Sequence, residues 1–131
     1  MSFGIAFDDE FRVVTCAFAG ELHFTDAVEA SRQVRELCFE LGYHALFDLR
    51  RVEGKRANAF VFARDSAVAF ADVRRGRGRV AIVTQPAHEE GFAELHAISA
   101  RNHFPDVRAF GAPEEALAWL GASLEESLAA A

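Results

Sequence analysis

RVAIVTQ, residues 79–85, is the stretch that most narrows what this chain can fold into. Val80, Ala81, Ile82 and Val83 leave no polar face, so a strand here must be covered on both sides. Such strands lie inside the parallel sheets of α/β proteins, where helices carry the chain from one strand to the next. The run is far too short to cross a bilayer, which takes about 20 apolar residues. It therefore reads as an interior strand.

The rest of the chain alternates between the two periodicities that such a fold requires. FGIAFDDEFRVVTCAF is two β-rich runs about an acidic turn, which predicts a hairpin of Phe3–Asp8 and Phe11–Phe18. GELHFTDAVEASRQVRELCFELG then predicts an amphipathic helix. Thr25 stands as its N-cap, with Asp26 and Glu29 in the first turn. Ala27, Ala30, Val34, Leu37, Cys38 and Leu41 recur at three- and four-residue steps, and Gly42 is the stop. YHALFDL, residues 43–49, is the third strand, with Ala45, Phe47 and Leu49 on one face and His44, Leu46 and Asp48 on the other.

After a basic loop, Asn58 caps a second helix that runs to about Arg75, and Gly76 ends it. Pro86 opens a third helix, with Phe92, Leu95, His96 and Ser99 on one stripe. VRAF, 107–110, is a short fifth strand. APEEALAWLGAS closes the fold, with Pro113 at the first helical position, Glu114 and Glu115 behind it, and Leu117 and Trp119–Leu120 as buried anchors. Residues 121–131 fray or extend that helix. The order ββαβαβαβα predicts a mixed α/β sheet with parallel neighbours and an antiparallel N-terminal hairpin, as one domain over 1–131.

Composition bounds the function classes. The 131 residues are 51% hydrophobic and 26% charged, enough to bury a core without staples. No apolar run suits a membrane span, and the polar DDE at 8–10 does not fit a signal peptide. Cys16 and Cys38, the only cysteines, read as reduced packing residues, so a cytoplasmic location is expected. Residues 50–79 hold nine basic groups against three acidic ones in a chain of net charge −6. That asymmetry either steers an anionic partner or solubilises two loops.

The reactive side chains form no familiar cluster. RRGRGR at 74–79 lacks interleaved aromatics, so no nucleic-acid binding is expected. HEEGFAELH spaces its histidines, His88 and His96, eight apart rather than four, and His103 adds no ligand spacing. No metal and no cofactor is implied. No G-x-S-x-G marks a hydrolase. Asp48, at the carboxyl end of its strand, is either catalytic or a loop organiser that accepts N–H bonds or pairs with Arg50 or Arg51.

Arg50, Arg51, Lys55, Arg56 and Asn58 are the candidate anion site, where cations and free helix N–H groups converge on the start of the second helix. A solvated loop is the plainer alternative. On the wheel of that helix, Phe60, Ala63, Ala67 and Phe70 make a core stripe. Val61 and Val68, bordered by Phe62 and Ala69, stand on the opposite side. Either another element or a second subunit covers them, which makes these four the self-association candidates of a homodimer.

GEL at 20–22, ALFDLRRV at 45–52, RVAIVTQPA at 79–87 and EEALAWL at 114–120 follow one another in an order that resembles the STAS domain. That is the fold of bacterial anti-sigma-factor antagonists, and the likeness is nearest to the SpoIIAA-like, or STAS/SEC14-like, branch. The resemblance implies a non-enzymatic regulatory module that works through protein–protein contacts. One departure stands out. The antagonists carry an Asp-Ser-Ser-Gly type sequence, with the switch serine, where this chain has EGKRANAF. No Ser or Thr occurs from Val52 to Ala63, and Ser66 lies two turns into the helix. The resemblance therefore does not carry the phosphoserine switch. Two alternatives stay open: a small anionic or lipid-like ligand held by loop 50–58, and an enzyme using Asp48 with Arg50 or His44.

Overall fold

A computed structural model of the protein describes residues 2–54, 57–58, 61–64, 79–85 and 107–130. Strands β1 (Ser2–Asp8), β2 (Val13–Glu21), β3 (His44–Glu53), β4 (Val80–Val83) and β5 (Val107–Phe110) form one sheet in the order β1-β2-β3-β4-β5. β1 and β2 are antiparallel, and the other three pairings are parallel. Helix α1 (Phe24–Leu41) links β2 to β3, and helix α2 (Pro113–Ala130) follows β5. This is the mixed α/β sheet with an antiparallel hairpin that the sequence predicts.

Several boundaries move for identifiable reasons. Phe11 belongs to the hairpin turn and not to β2. Its N–H donates to Asp8 Oδ1 at 3.0 Å, and Arg12 sits at φ 55, a left-handed conformation that no strand tolerates. β3 runs on to Glu53 because it takes up a bulge. Ala17 pairs with Asp48 but Ala19 with Arg51, so β3 spends one more residue than β2 over that step. The extra residue shifts the alternation and lets both Leu49 and Val52 point inward.

α1 begins before Thr25. His23 is the N-cap residue, with no side-chain cap bond, and Glu29 falls beyond the first turn. A side-chain cap is worth roughly 1 kcal/mol, less than burying Leu22 at the strand exit and Ala27, Ala30 and Val34 on the sheet. At the other end Gly42 takes φ 71 and donates its N–H to Cys38 O at 2.8 Å, the expected stop. Leu41, expected on the apolar stripe, is exposed at the last residue of the helix. α2 starts at Pro113 and continues through 121–130 as one helix. Its anchors are Ala116 and Leu120, with Leu117 and Trp119 half-buried.

The sheet has two unlike faces. On one, Val14, Cys16, Phe18, Phe47, Leu49 and Ile82 lie beneath α1 and beneath Ala57, Phe62 and Ala63. Its centre is aromatic. The Phe62 ring meets Phe18 edge-on at 5.5 Å and Phe47 at 5.1 Å. On the other face, α2 packs over Leu46 of β3, Ala81 and Val83 of β4 and Phe110 of β5, reaching β2 at Val13. The same face of β1 and β2 carries Gly4, Ala6, Ala17 and Ala19, all exposed.

Of the second helix the described residues include one turn, 61–64. Asn58 caps it as expected, with Oδ1 accepting the Val61 N–H at 3.3 Å and its backbone O accepting the Phe62 N–H at 3.0 Å. The third helix expected after Pro86 lies outside the described residues, as does the rest of the second.

Candidate functional site

The middle of β3, the carboxyl end of β4 and the first turn of α2 meet around Asp48. That residue is not at the end of its own strand, because β3 runs on to Glu53. Asp48 lies on the α2 side of the sheet, paired in register with Val83 and Ala17. Arg50 turns back onto it. Nε donates to Oδ1 at 3.0 Å, Nη2 donates to Oδ2 at 2.8 Å, and the Arg50 backbone N–H also donates to Oδ1 at 3.0 Å. This fork occupies both carboxylate oxygens. The Arg50 carbonyl in turn accepts from Gln85 Nε2 at 2.6 Å, which ties the end of β3 to the end of β4.

Electrostatics follow the geometry. Partial burial works to raise the Asp48 pKa, but the Arg50 side-chain and backbone bonds, with the charges of Arg50 and Arg51, outweigh it and hold the group below the usual carboxylate range. Arg50 is raised, first by its bond to Asp48, against its own desolvation, and then by the charges of Asp48 and Glu114. Asp48 is a fixed anion locked to a fixed cation. A general base would need a free oxygen and a pKa moved toward neutrality.

His44 shares a face with Asp48 but stands four residues away, about 13 Å along the strand at roughly 3.3 Å per residue. Its Nδ1 accepts the Arg79 backbone N–H at 2.9 Å, at the entrance to β4. Burial first, and then the Arg79 charge, lower its pKa. The Arg79 guanidinium lies 4.9 Å from the Trp119 ring centroid and donates to the Trp119 carbonyl at 3.0 Å, while Arg108 lies 5.3 Å from the same ring. His44 therefore joins β3, β4 and α2 at the far end of the sheet, out of reach of Asp48.

The remaining candidates separate. Arg51 is exposed at the bulge, opposite Ala19. Lys55, Arg56, Val68 and Ala69 lie outside the described residues. Asn58 has its amide oxygen engaged by the Val61 N–H, so it acts as a helix cap. Gly54, at φ 85, turns the chain after β3, and its carbonyl accepts the Ala57 N–H at 3.2 Å. Phe62 corrects the self-association set. It is 1% exposed and packs inside the aromatic centre, where its ring meets those of Phe18 and Phe47. Val61 is half-buried. Phe62 is core and unavailable to a partner.

Gln85 is the site residue that pattern reading misses. Its signal was faint: a lone amide just past an interior strand. Among the described residues no group of three His, Cys, Asp or Glu side chains could hold a metal, and no helix is long and apolar enough to cross a membrane. Cys16 and Cys38 are free thiols pushed up to about 12 by burial.

No protein-family model matches the chain, and no curated protein matches it. Solved structures do. An uncharacterised protein of the DUF3478 family with a SpoIIAA-like fold, from Shewanella loihica PV-4, superposes with a TM-score of 0.59 at 18% identity, over 91% of this chain and 92% of that one. An anti-sigma factor antagonist from Mycobacterium paratuberculosis superposes at 0.54 with 17% identity, over 91% and 94%. The fold is thus that of a SpoIIAA-like, STAS-type domain.

Proposed function

We propose that this chain is a non-enzymatic regulatory module of STAS type that works by binding another protein, through the basic rim where β3 ends. The observation that carries the reading is the Asp48–Arg50 fork. Asp48, a carboxylate beside the carboxyl end of β4, where α/β proteins often keep their chemistry, has both oxygens bonded to a guanidinium two residues away. It shapes a rim, and the rim leaves Arg51 facing solvent. The likeness to an anti-sigma factor antagonist favours a protein partner, and EGKRANAF in place of the serine sequence favours a contact that needs no serine phosphorylation. The cytoplasm suits two free thiols, Cys16 buried and Cys38 half-buried.

The test is affinity capture of the full chain from its own cells, comparing wild type with Arg51→Glu. The reading expects one stoichiometric protein on the wild type, lost with Arg51→Glu while the fold stays intact by circular dichroism. Catalytic turnover abolished by Asp48→Asn, or a partner indifferent to Arg51→Glu, would refute it.

A further inference from the structure

Among the described residues β1 is an outer strand of the sheet, and no described strand lies beside the backbone N–H and C=O groups on its outward side. Proteins guard such edges with Lys, Pro, bulges or short strands. Ser2–Asp8 has none of these. It contains no Lys and no Pro, and its pairing with β2 runs unbroken from Ser2↔Ala19 to Asp8↔Val13. The sequence SFGIAFD is also symmetric in character about Ile5. Phe3 and Phe7 stand two residues to either side, and Gly4 and Ala6 one.

That symmetry has a geometric consequence. Two such strands laid antiparallel about a two-fold axis at Ile5 bring Phe3 of one copy opposite Phe7 of the other, Ile5 opposite Ile5, and Gly4 opposite Ala6. Apolar residues opposite one another on one face are the favourable unit of sheet pairing. The strand's one charged residue, Asp8, falls opposite Ser2 and never opposite itself. Phe3 and Ile5 already pack partly against the core, with the Phe3 and Phe18 rings 5.9 Å apart, so the row is held in place before any encounter. Phe7 continues that row but is 52% exposed. A phenyl ring left in water at the end of a fixed apolar row is what a second copy of the same row would cover.

We propose that β1 is a self-association edge, through which two copies of this chain join β1 to β1 antiparallel in one continuous sheet. The two-fold arrangement makes the interface isologous, as in most homodimers. It is independent of the rim at Arg51.

Sedimentation equilibrium on the full chain, from micromolar to submillimolar concentration, tests this. The wild type is expected to show a monomer–dimer equilibrium. Phe7→Lys removes the exposed ring at both ends of the strand pair and is expected to raise the dimer dissociation constant roughly tenfold or more. Phe39→Lys, at a 72% exposed position on α1, is expected to leave it unchanged. Both variants alter exposed side chains, and circular dichroism verifies their folding. A wild type that is monomeric throughout would overturn the proposal. A dimer insensitive to Phe7→Lys, or one dissociated by Phe39→Lys, would overturn it as well.

Discussion

β4 and β1 are both apolar strands of one sheet, and they stand in opposite situations. Every side chain of β4 is buried, and β3 and β5 flank it on both edges. Among the described residues β1 has a neighbour on one edge only, with small exposed residues on one face and a half-exposed phenyl ring on the other. The same physical property, a run of apolar residues, makes a core in one place and an unfinished surface in the other. What separates them is position in the sheet order. Stability is concentrated around β3 and β4, and association is left to the periphery.

The contrast can be broken most severely in the aromatic centre. Phe62→Ala is expected to cost about 3–5 kcal/mol in urea unfolding, the range for emptying a packed phenyl site. A loss under about 1 kcal/mol would mean that Phe62 is not the core residue described here. Ile82→Ala in β4 is expected to cost about 2–5 kcal/mol by the same measurement. Phe7→Thr in β1, measured where the protein is monomeric, is expected to stay within about 0.5 kcal/mol of wild type. Equal losses in the two strands would erase the distinction.

A smaller effect sharpens the account of the β3 end. Asp48→Asn keeps the shape but removes the charge from the fork, and about 1 kcal/mol is expected, since Arg50 is half-exposed and solvent screens the pair. The sign with pH follows from the lowered pKa of Asp48. Its contribution is present above the unfolded-state value near 4 and is lost as pH falls through the folded value. The acid limb of the stability curve should therefore be shallower in Asp48→Asn.

His44 gives the smallest and most local signal. Its folded pKa also lies below the unfolded value, which is about 6.5, so its contribution is complete above that pH and declines as pH falls toward the folded value. Protonation of Nδ1 would remove the acceptor of the Arg79 N–H. Wild-type stability should fall as pH drops below about 6.5, and this component should vanish in His44→Gln. An unchanged profile in that variant would place the titration elsewhere.

Much of the architecture was legible because it rests on periodicity. RVAIVTQ has no polar face and became the interior strand, and the three- and four-residue steps of α1 located its buried stripe. Gly42 marked the helix end because the position needs a left-handed backbone. Boundaries were harder where a local preference competed with burial. Thr25 offered a better cap than His23, yet the core set the start of α1. Phe11 looked like strand until the Asp8 side chain and the Arg12 backbone made it turn.

The site was legible in part. Asp48, Arg50 and Arg51 could be named as a loop-shaping group because a carboxylate beside two arginines admits few arrangements. The bulge that carries them could not be read, since an inserted residue leaves no mark on a run such as LRRV. Phe62 was placed on the wrong side for a related reason. A helix apolar nearly all round gives no rotational phase, and it is the contact with Phe18 and Phe47 that places the Phe62 ring inward.

The most direct test of the difference between the two strands is amide hydrogen exchange at a low and a high protein concentration. β4 amides are expected to exchange slowly and identically in both. The outward-pointing amides of β1 are expected to exchange fast when dilute and to gain protection on concentration. Protection of β1 equal to that of β4 and indifferent to concentration would show the edge already closed within one chain, and would contradict the account.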